Sequence, residues 1–346
     1  MKVIKDESTK PEKVQVFMKI YRPILQIQIV RGNSMESTHS VQGVLVDDLG
    51  EILSSWGEFQ TRIYPRSAVK FFQALPFIES GAIEKFDLDE RHIAISAASH
   101  LGEVFHQQLV HQWLQKMGFS DQDLACGAHD PADPTAARSL AWDHQQAQKT
   151  HNNCSGKHAS MLALCAIHRW KHMGYEKYSH SLQSLIRQSL TQALQVDHES
   201  LAWGIDGCGI PTYLTPLLSL ARAGVYFQKQ LENKKSACHI LWKAISHYPE
   251  YVSGTHGFCT RIFQASKGDV LVKVGAEGVY FGMILPLRKS FALKVMDGAP
   301  RAAEKACLHF IQEAGYSLSE DFLQQTWNAP LRNWAGQDVG FIQVVD

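Results

Sequence analysis

The order of secondary-structure patterns constrains this chain more than any other feature: strand patterns stand at both ends and helical patterns fill the middle. Near the start, "ILQIQIVRG" reads as a strand, and "VQGVLVDDLGEILSSWG" sets two apolar runs about a turn at 47–50. Towards the end, "VLVKVGAEGVYFGMILPLRKSFALKVM" reads as three strands joined by tight turns, one of them at "GAEG". "APRAAEKACLHFIQEAG" then has the period of an amphipathic helix. This layout is that of an α+β protein, in which terminal segments build one sheet and a mostly helical section, about 100–250, is inserted.

Residues 67–83 read as a helix begun after Pro65, with Phe71, Phe72, Leu75 and Ile78 on one face; Pro76 is expected to kink or interrupt it. "HIAISAAS" reads as strand or turn and is followed by a helix over about 102–117. The stretch 121–150, rich in Asp, Pro, Ala and Gln, reads as a long surface connection. Helical patterns follow over 157–172, 176–195, 212–223 and 236–247. Residues 1–22 are charged and read as an extension.

Composition narrows the function. The 346 residues carry 34 basic and 34 acidic side chains, with no long basic cluster, so there is no electrostatic footprint for nucleic acid. The N-terminal segment lacks the apolar run of a signal peptide and no span reaches membrane length, so a cytoplasmic protein is expected. Seven widely spaced cysteines without a C-x-x-C pair argue against a disulfide framework. Read singly, each is a buried, inert thiol.

Chemistry enters with "RSAVK". Ser67 and Lys70 stand one helical turn apart on a common face, where a neutral lysine could take the serine proton. A lysine titrating near ~10.4 needs a downward shift of roughly three units, about 4 kcal/mol, to do this near neutrality; burial and a second cation are the usual means. Alone the pattern is weak, since an N-cap serine followed by a surface lysine looks the same. Two features strengthen it. "ISAASHLGE" sets Ser99 between an apolar run and a helix, and "VLVKVGAEG" sets Lys273 inside an apolar strand. Serine–x–x–lysine, a second serine and a late lysine–x–glycine strand follow the order of the serine β-lactamase and penicillin-binding group. Val274 stands where that group usually carries a hydroxyl residue.

The polar run "HNNCSGKHAS" opens into the apolar "MLALCAIHRW", and "GIDGCGIPTY" follows further on. Together with "RGNSMESTHSV", "YPRSAVKFFQALPFIESGA", "ASHLGE", "VKVGAEGVY" and "NWAGQDVGFIQV", these stretches resemble the rhizobial-type L-asparaginase family over roughly residues 25–345. The resemblance implies the fold of the serine β-lactamases, glutaminases and penicillin-binding proteins, with an antiparallel sheet drawn from both chain ends and 23–346 as one catalytic unit. It implies Ser67 as nucleophile with Lys70 as its base, and Ser99 and Lys273 as a second pair that moves protons. Cys154, Lys157 and Cys208 match residues that bind zinc, a metal suited to sulfur and nitrogen donors. Asp206 and Arg66 match positions lining the substrate pocket. His158 either orients a ligand from behind or caps its helix, and it is counted with the substrate-binding residues. His100 is expected to be structural or exposed. A homodimer is the family expectation.

Ser160 replaces a usual glycine and Leu101 a usually smaller or polar residue, so substrate preference is the more exposed to change. The expected activity is conversion of L-asparagine to L-aspartate and ammonia. Another serine amidase (glutaminase or β-lactamase-like) and a non-catalytic zinc- or ligand-binding homologue stay open as alternatives.

Overall fold

A computed structural model describes residues 20–197 and 201–346. The expected extension, 1–22, falls outside the described residues as far as residue 19; Ile20–Arg22 is a strand running parallel to Ile52–Trp56, with Ile20 opposite Ser54.

Both chain ends enter one nine-stranded sheet. Across it the order runs Leu331–Arg332, Asp338–Val345, Leu25–Arg31, Ser34–Val46, Lys289–Val295, Val279–Ile284, Val270–Gly275, every neighbouring pair antiparallel. Helices cover both faces of its centre. Ser290 and Phe291 are successive and point to opposite faces. Ser290 Oγ donates to Ala221 O of the Leu217–Gln230 helix, while the Phe291 ring packs on Phe310 of the Pro300–Glu313 helix. A strand covered on both faces needs apolar residues at every position, and "VYFGMI" at 279–284 is buried throughout. The α+β layout read from the sequence is the one observed.

The Lys70–Glu79 helix packs Phe71 and Phe72 on Phe281, and Phe281 pairs with Lys273 across the sheet. Lys273 therefore points from the edge strand Val270–Gly275 toward the helical block. Gly275 closes that strand where a Cβ would stand 2.4 Å from Pro65 O, so only glycine lets the strand end meet the turn carrying Ser67.

Several local readings change. "HIAISAAS" is not strand or turn: Glu90–Ser96 is a helix capped by Asp89, whose side chain accepts from Arg91 N–H. Pro76 lies inside the Lys70–Glu79 helix without interrupting it. The Phe72 carbonyl, which loses its usual N–H partner to the proline, accepts instead from Ser189 Oγ at 2.8 Å. The helix expected over 67–83 divides into a 3₁₀ turn, Arg66–Val69, and the α-helix that ends at Glu79. The connection 121–150 contains a helix, Pro134–Trp142, and the pattern at 212–223 resolves into a strand Pro211–Tyr213 and a helix Leu217–Gln230. The helix Phe258–Ala265 had no counterpart in the sequence reading.

Candidate active site

A cleft of about 400 Å³ opens between the 3₁₀ turn, the end of the edge strand and the start of the Ser155–His168 helix. Six of the residues singled out from the sequence line it: Arg66, Ser67, Ser99, Cys154, Asp206 and Cys208. Three more, Lys70, Lys157 and Lys273, are buried behind the wall and reach it with their amines.

One side of the cleft holds serines and lysines. Ser99 Oγ lies 3.1 Å from Lys70 Nζ and 2.8 Å from Lys273 Nζ. Lys70 also donates to Ala98 O and to Cys154 Sγ, the latter at 3.1 Å. Ser67 Oγ has no hydrogen-bond partner among the described residues and faces the cleft. The expected Ser67–Lys70 hydrogen bond is thus absent, and the lysine sits on the second serine. Burial, together with the positive charge of Lys70, lowers Lys273 from the ordinary lysine range to about 7.

The other side holds sulfur. Cys208 sits in the turn between the paired strands Trp203–Ile205 and Pro211–Tyr213, and Cys154 immediately precedes the Ser155–His168 helix. Gly156 lets that helix start touch the end of the Glu90–Ser96 helix, since a Cβ would stand 2.4 Å from Ile95 O. Lys157 Nζ donates to Cys208 Sγ at 3.0 Å. Cys154 Sγ donates to Asn153 Oδ1 at 3.1 Å; the neighbouring Cys208 and then burial push Cys154 up to about 12, while Cys154 and Lys157, against burial, lower Cys208 to about 4. Burial disfavours charge on Lys157, but Cys154, Cys208 and Asp206 outweigh it and hold the amine above its ordinary value.

Two sulfurs and one amine that converge on a cleft make a donor set matched to a soft divalent cation once Cys154 and Lys157 lose their protons. Among the described residues no group of three or more His, Cys, Asp or Glu could hold a metal, so a cation here would need Lys157 as a donor.

Arg66 and Asp206 meet at the rim, Arg66 Nε donating to Asp206 Oδ1 at 2.7 Å. Arg66 has φ 48°, a left-handed conformation uncommon for a side chain of its kind and concentrated at functional sites. Burial works against the Asp206 carboxylate, but Lys157 and Arg66 hold it below the usual range.

His158 departs from the sequence reading. It does not line the cleft and caps nothing; it is fully buried, with Nδ1 2.6 Å from Tyr175 OH. The Tyr175 hydroxyl accepts from Ala125 N–H and so donates to Nδ1. Burial, and then Lys157, lower His158 to about 3, and its Nε2 is buried without a hydrogen-bond partner among the described residues. Sequence reasoning missed Asn152, Asn153 and His129 in the cleft wall. The two asparagines stood in the quoted polar run; Asn152 Oδ1 accepts from Cys154 N–H at 2.9 Å. His129 lies in the stretch read as a surface connection and carried no signal.

The fold and site together describe an α+β protein whose cleft joins a serine flanked by two buried lysines to a thiol pair. The chain belongs to the L-asparaginase II family, whose model matches residues 27–344. Membership places it among asparaginase-type amidohydrolases. No individually curated protein matches it. Among solved structures it is similar to a β-lactamase from Mycobacterium bovis, at 11% identity over 80% of this chain and 95% of that one, TM-score 0.42. It is also similar to an octameric penicillin-binding protein homologue from Pyrococcus abyssi, at 12% identity over 82% and 76% of the two chains, TM-score 0.38. Likenesses of this extent carry no chemistry over, and the architecture rests on the sheet described above.

Proposed function

We propose that the protein hydrolyses L-asparagine to L-aspartate and ammonia through an acyl-enzyme on Ser67, with 23–346 acting as one catalytic unit. The observation that carries this reading is Ser99 Oγ held between Lys70 and Lys273 in the same cleft as the unpartnered Ser67, in a chain of the L-asparaginase II family.

Ser67 Oγ attacks the side-chain amide carbon while Lys70, already charged, takes its proton and gives one of its own to Ser99 Oγ. Ser99, in contact with both amines, passes the proton to Lys273, the amine whose surroundings favour the neutral form. Backbone N–H groups at the Ser67 turn and at the end of the edge strand stabilise the oxyanion. The same relay returns the proton to the leaving nitrogen, the C–N bond breaks, and water then cleaves the ester to release aspartate. Arg66 and Asp206 offer one charge of each sign at the rim and suit an amino acid zwitterion.

Zinc belongs to the proposal on the chemistry of the donor set: Cys154, Lys157 and Cys208 would hold it. When bound, the ion would supply a fixed positive charge beside the substrate. A homodimer in the cytoplasm is part of the same proposal and draws on the family resemblance; among the described residues no helix is long and apolar enough to cross a membrane.

The test is ammonia release from L-asparagine and L-glutamine, and ring opening of a chromogenic β-lactam read by absorbance, for the wild type and Ser67→Ala, with zinc measured on the same samples. The expected result is asparagine turnover that falls about 10³-fold or more in the variant while its zinc content is unchanged. Wild-type protein inert toward asparagine, or a fully active Ser67→Ala, would overturn the proposal.

A further inference from the structure

Ser99 can serve two lysines only while its loop keeps its place, and the residue that ties the loop down is its neighbour. His100 is buried, with 1% of its surface exposed, and both ring nitrogens are engaged. Gly102 N–H can only donate, so Nδ1, 3.2 Å away, is the acceptor. In the neutral ring Nε2 then carries the proton, and it donates to Ser155 Oγ at 2.9 Å. The Ser155 hydroxyl passes its own hydrogen to Thr150 O at 3.0 Å. Every donor in this chain has an acceptor, the tautomer is fixed, and no water is needed. His100 N–H also donates to Asn153 O at 3.2 Å, and its ring stacks on His106 at 4.7 Å between centroids. His106 Nε2 in turn lies 2.9 Å from Glu250 O, two residues before Val252, whose carbonyl accepts the Ser99 N–H at 2.8 Å.

The chain therefore joins the Ser99 loop to the first residue of the Ser155–His168 helix, which follows directly on Cys154. Both ends matter to one amine: Lys70 Nζ is 3.1 Å from Ser99 Oγ and 3.1 Å from Cys154 Sγ. We propose that His100 is a positioning residue, which through Ser155 sets the Ser99 hydroxyl between Lys70 and Lys273 and locks the serine–lysine side of the cleft to the sulfur side. The inference rests on the reading of Ser99 as the proton relay. It assigns to His100 a role in turnover and not merely in packing.

A displaced relay slows proton transfer more than it weakens substrate binding. A shift of about 1 Å at a reacting group costs on the order of 10²-fold in rate. The experiment measures kcat, KM and melting temperature for His100→Asn, His100→Gln, Ser155→Ala, the double variant His100→Asn/Ser155→Ala, and Ser99→Ala. Asn cannot reach Ser155, whereas the Gln amide can place an N–H near the lost Nε2–H. The expected result is a kcat lowered about 10- to 100-fold in His100→Asn and Ser155→Ala with KM changed less than about twofold. Gln should recover a large part of the loss, and the double variant should be no worse than the poorer single one. If His100→Asn does not fold, Ser155→Ala and His100→Gln decide by the same criteria. A folded Ser155→Ala with wild-type kcat, or losses that simply add, would overturn the role of His100. Ser99→Ala separates the two levels: full activity there defeats the relay itself, while a dead Ser99→Ala beside fully active His100 and Ser155 variants defeats only the inference.

Discussion

Lys273 and Lys157 are buried amines on opposite sides of one cleft, and their surroundings drive them in opposite directions. Burial and then a second amine, Lys70, lower Lys273, and together they outweigh the raising pull of Cys259 and Cys154, so the group falls to about 7. Lys157 is as deeply buried, yet two sulfurs and the Asp206 carboxylate outweigh desolvation and keep it charged. The same residue type at the same depth is drawn toward the neutral form in one place and held as a cation in the other. Neighbouring charge decides the outcome, because burial is common to both.

Breaking the comparison at Lys273 should have the largest effect. Lys273→Met removes the amine that ends with the proton, and kcat should fall about 10³-fold. In the wild type kcat/KM should rise with pH and level off above about 7, because Lys273 must be neutral to accept a proton and is protonated as pH falls through its folded value. That limb should vanish in the residual activity of the variant. At Lys157 the matching change is Cys208→Ala, which removes the thiolate. Zinc affinity, measured by competition with a chromophoric chelator, should fall by more than about 100-fold. In the unsubstituted protein zinc binding near neutral pH should release about two protons, one from Cys154 and one from Lys157, which a pH indicator reads directly.

Smaller effects sharpen the contrast. Asp206→Asn keeps the shape of the rim and removes its negative charge, so KM for asparagine should rise about tenfold with little change in kcat. Gly156→Ala drives a methyl group into Ile95 O, and the strain should cost about 1–3 kcal/mol, read as a lowered urea midpoint.

The residue types of the site were legible in the sequence, and much of their arrangement was not. Ser67 and Lys70, three apart, promised a contact on one helical face. The 3₁₀ turn at Arg66–Val69 favours residues three apart on one side, yet Ser99, Ala98 O and Cys154 claim the amine. All three of those partners are distant in sequence. Lys157 and His158 are adjacent in the same quoted run, but successive helical positions point about 100° apart, so one meets Cys208 and the other Tyr175. His100 is a similar case, because its importance lies in Ser155, 55 residues on, which local pattern does not reveal. The fold followed the same division. Strand alternation and apolar runs announced the sheet, while the survival of the Lys70–Glu79 helix through Pro76 depends on Ser189 from another helix.

Two serines share the cleft, and the account makes Ser67 the nucleophile and Ser99 the relay although both lysines sit on Ser99. Acid quenching during asparagine turnover, followed by peptide mass analysis, tests that assignment most directly. An aspartyl ester on the peptide carrying Ser67, lost in Ser67→Ala and kept in Ser99→Ala, is the predicted result. An adduct on Ser99, or rapid turnover with no adduct on either serine, would contradict it.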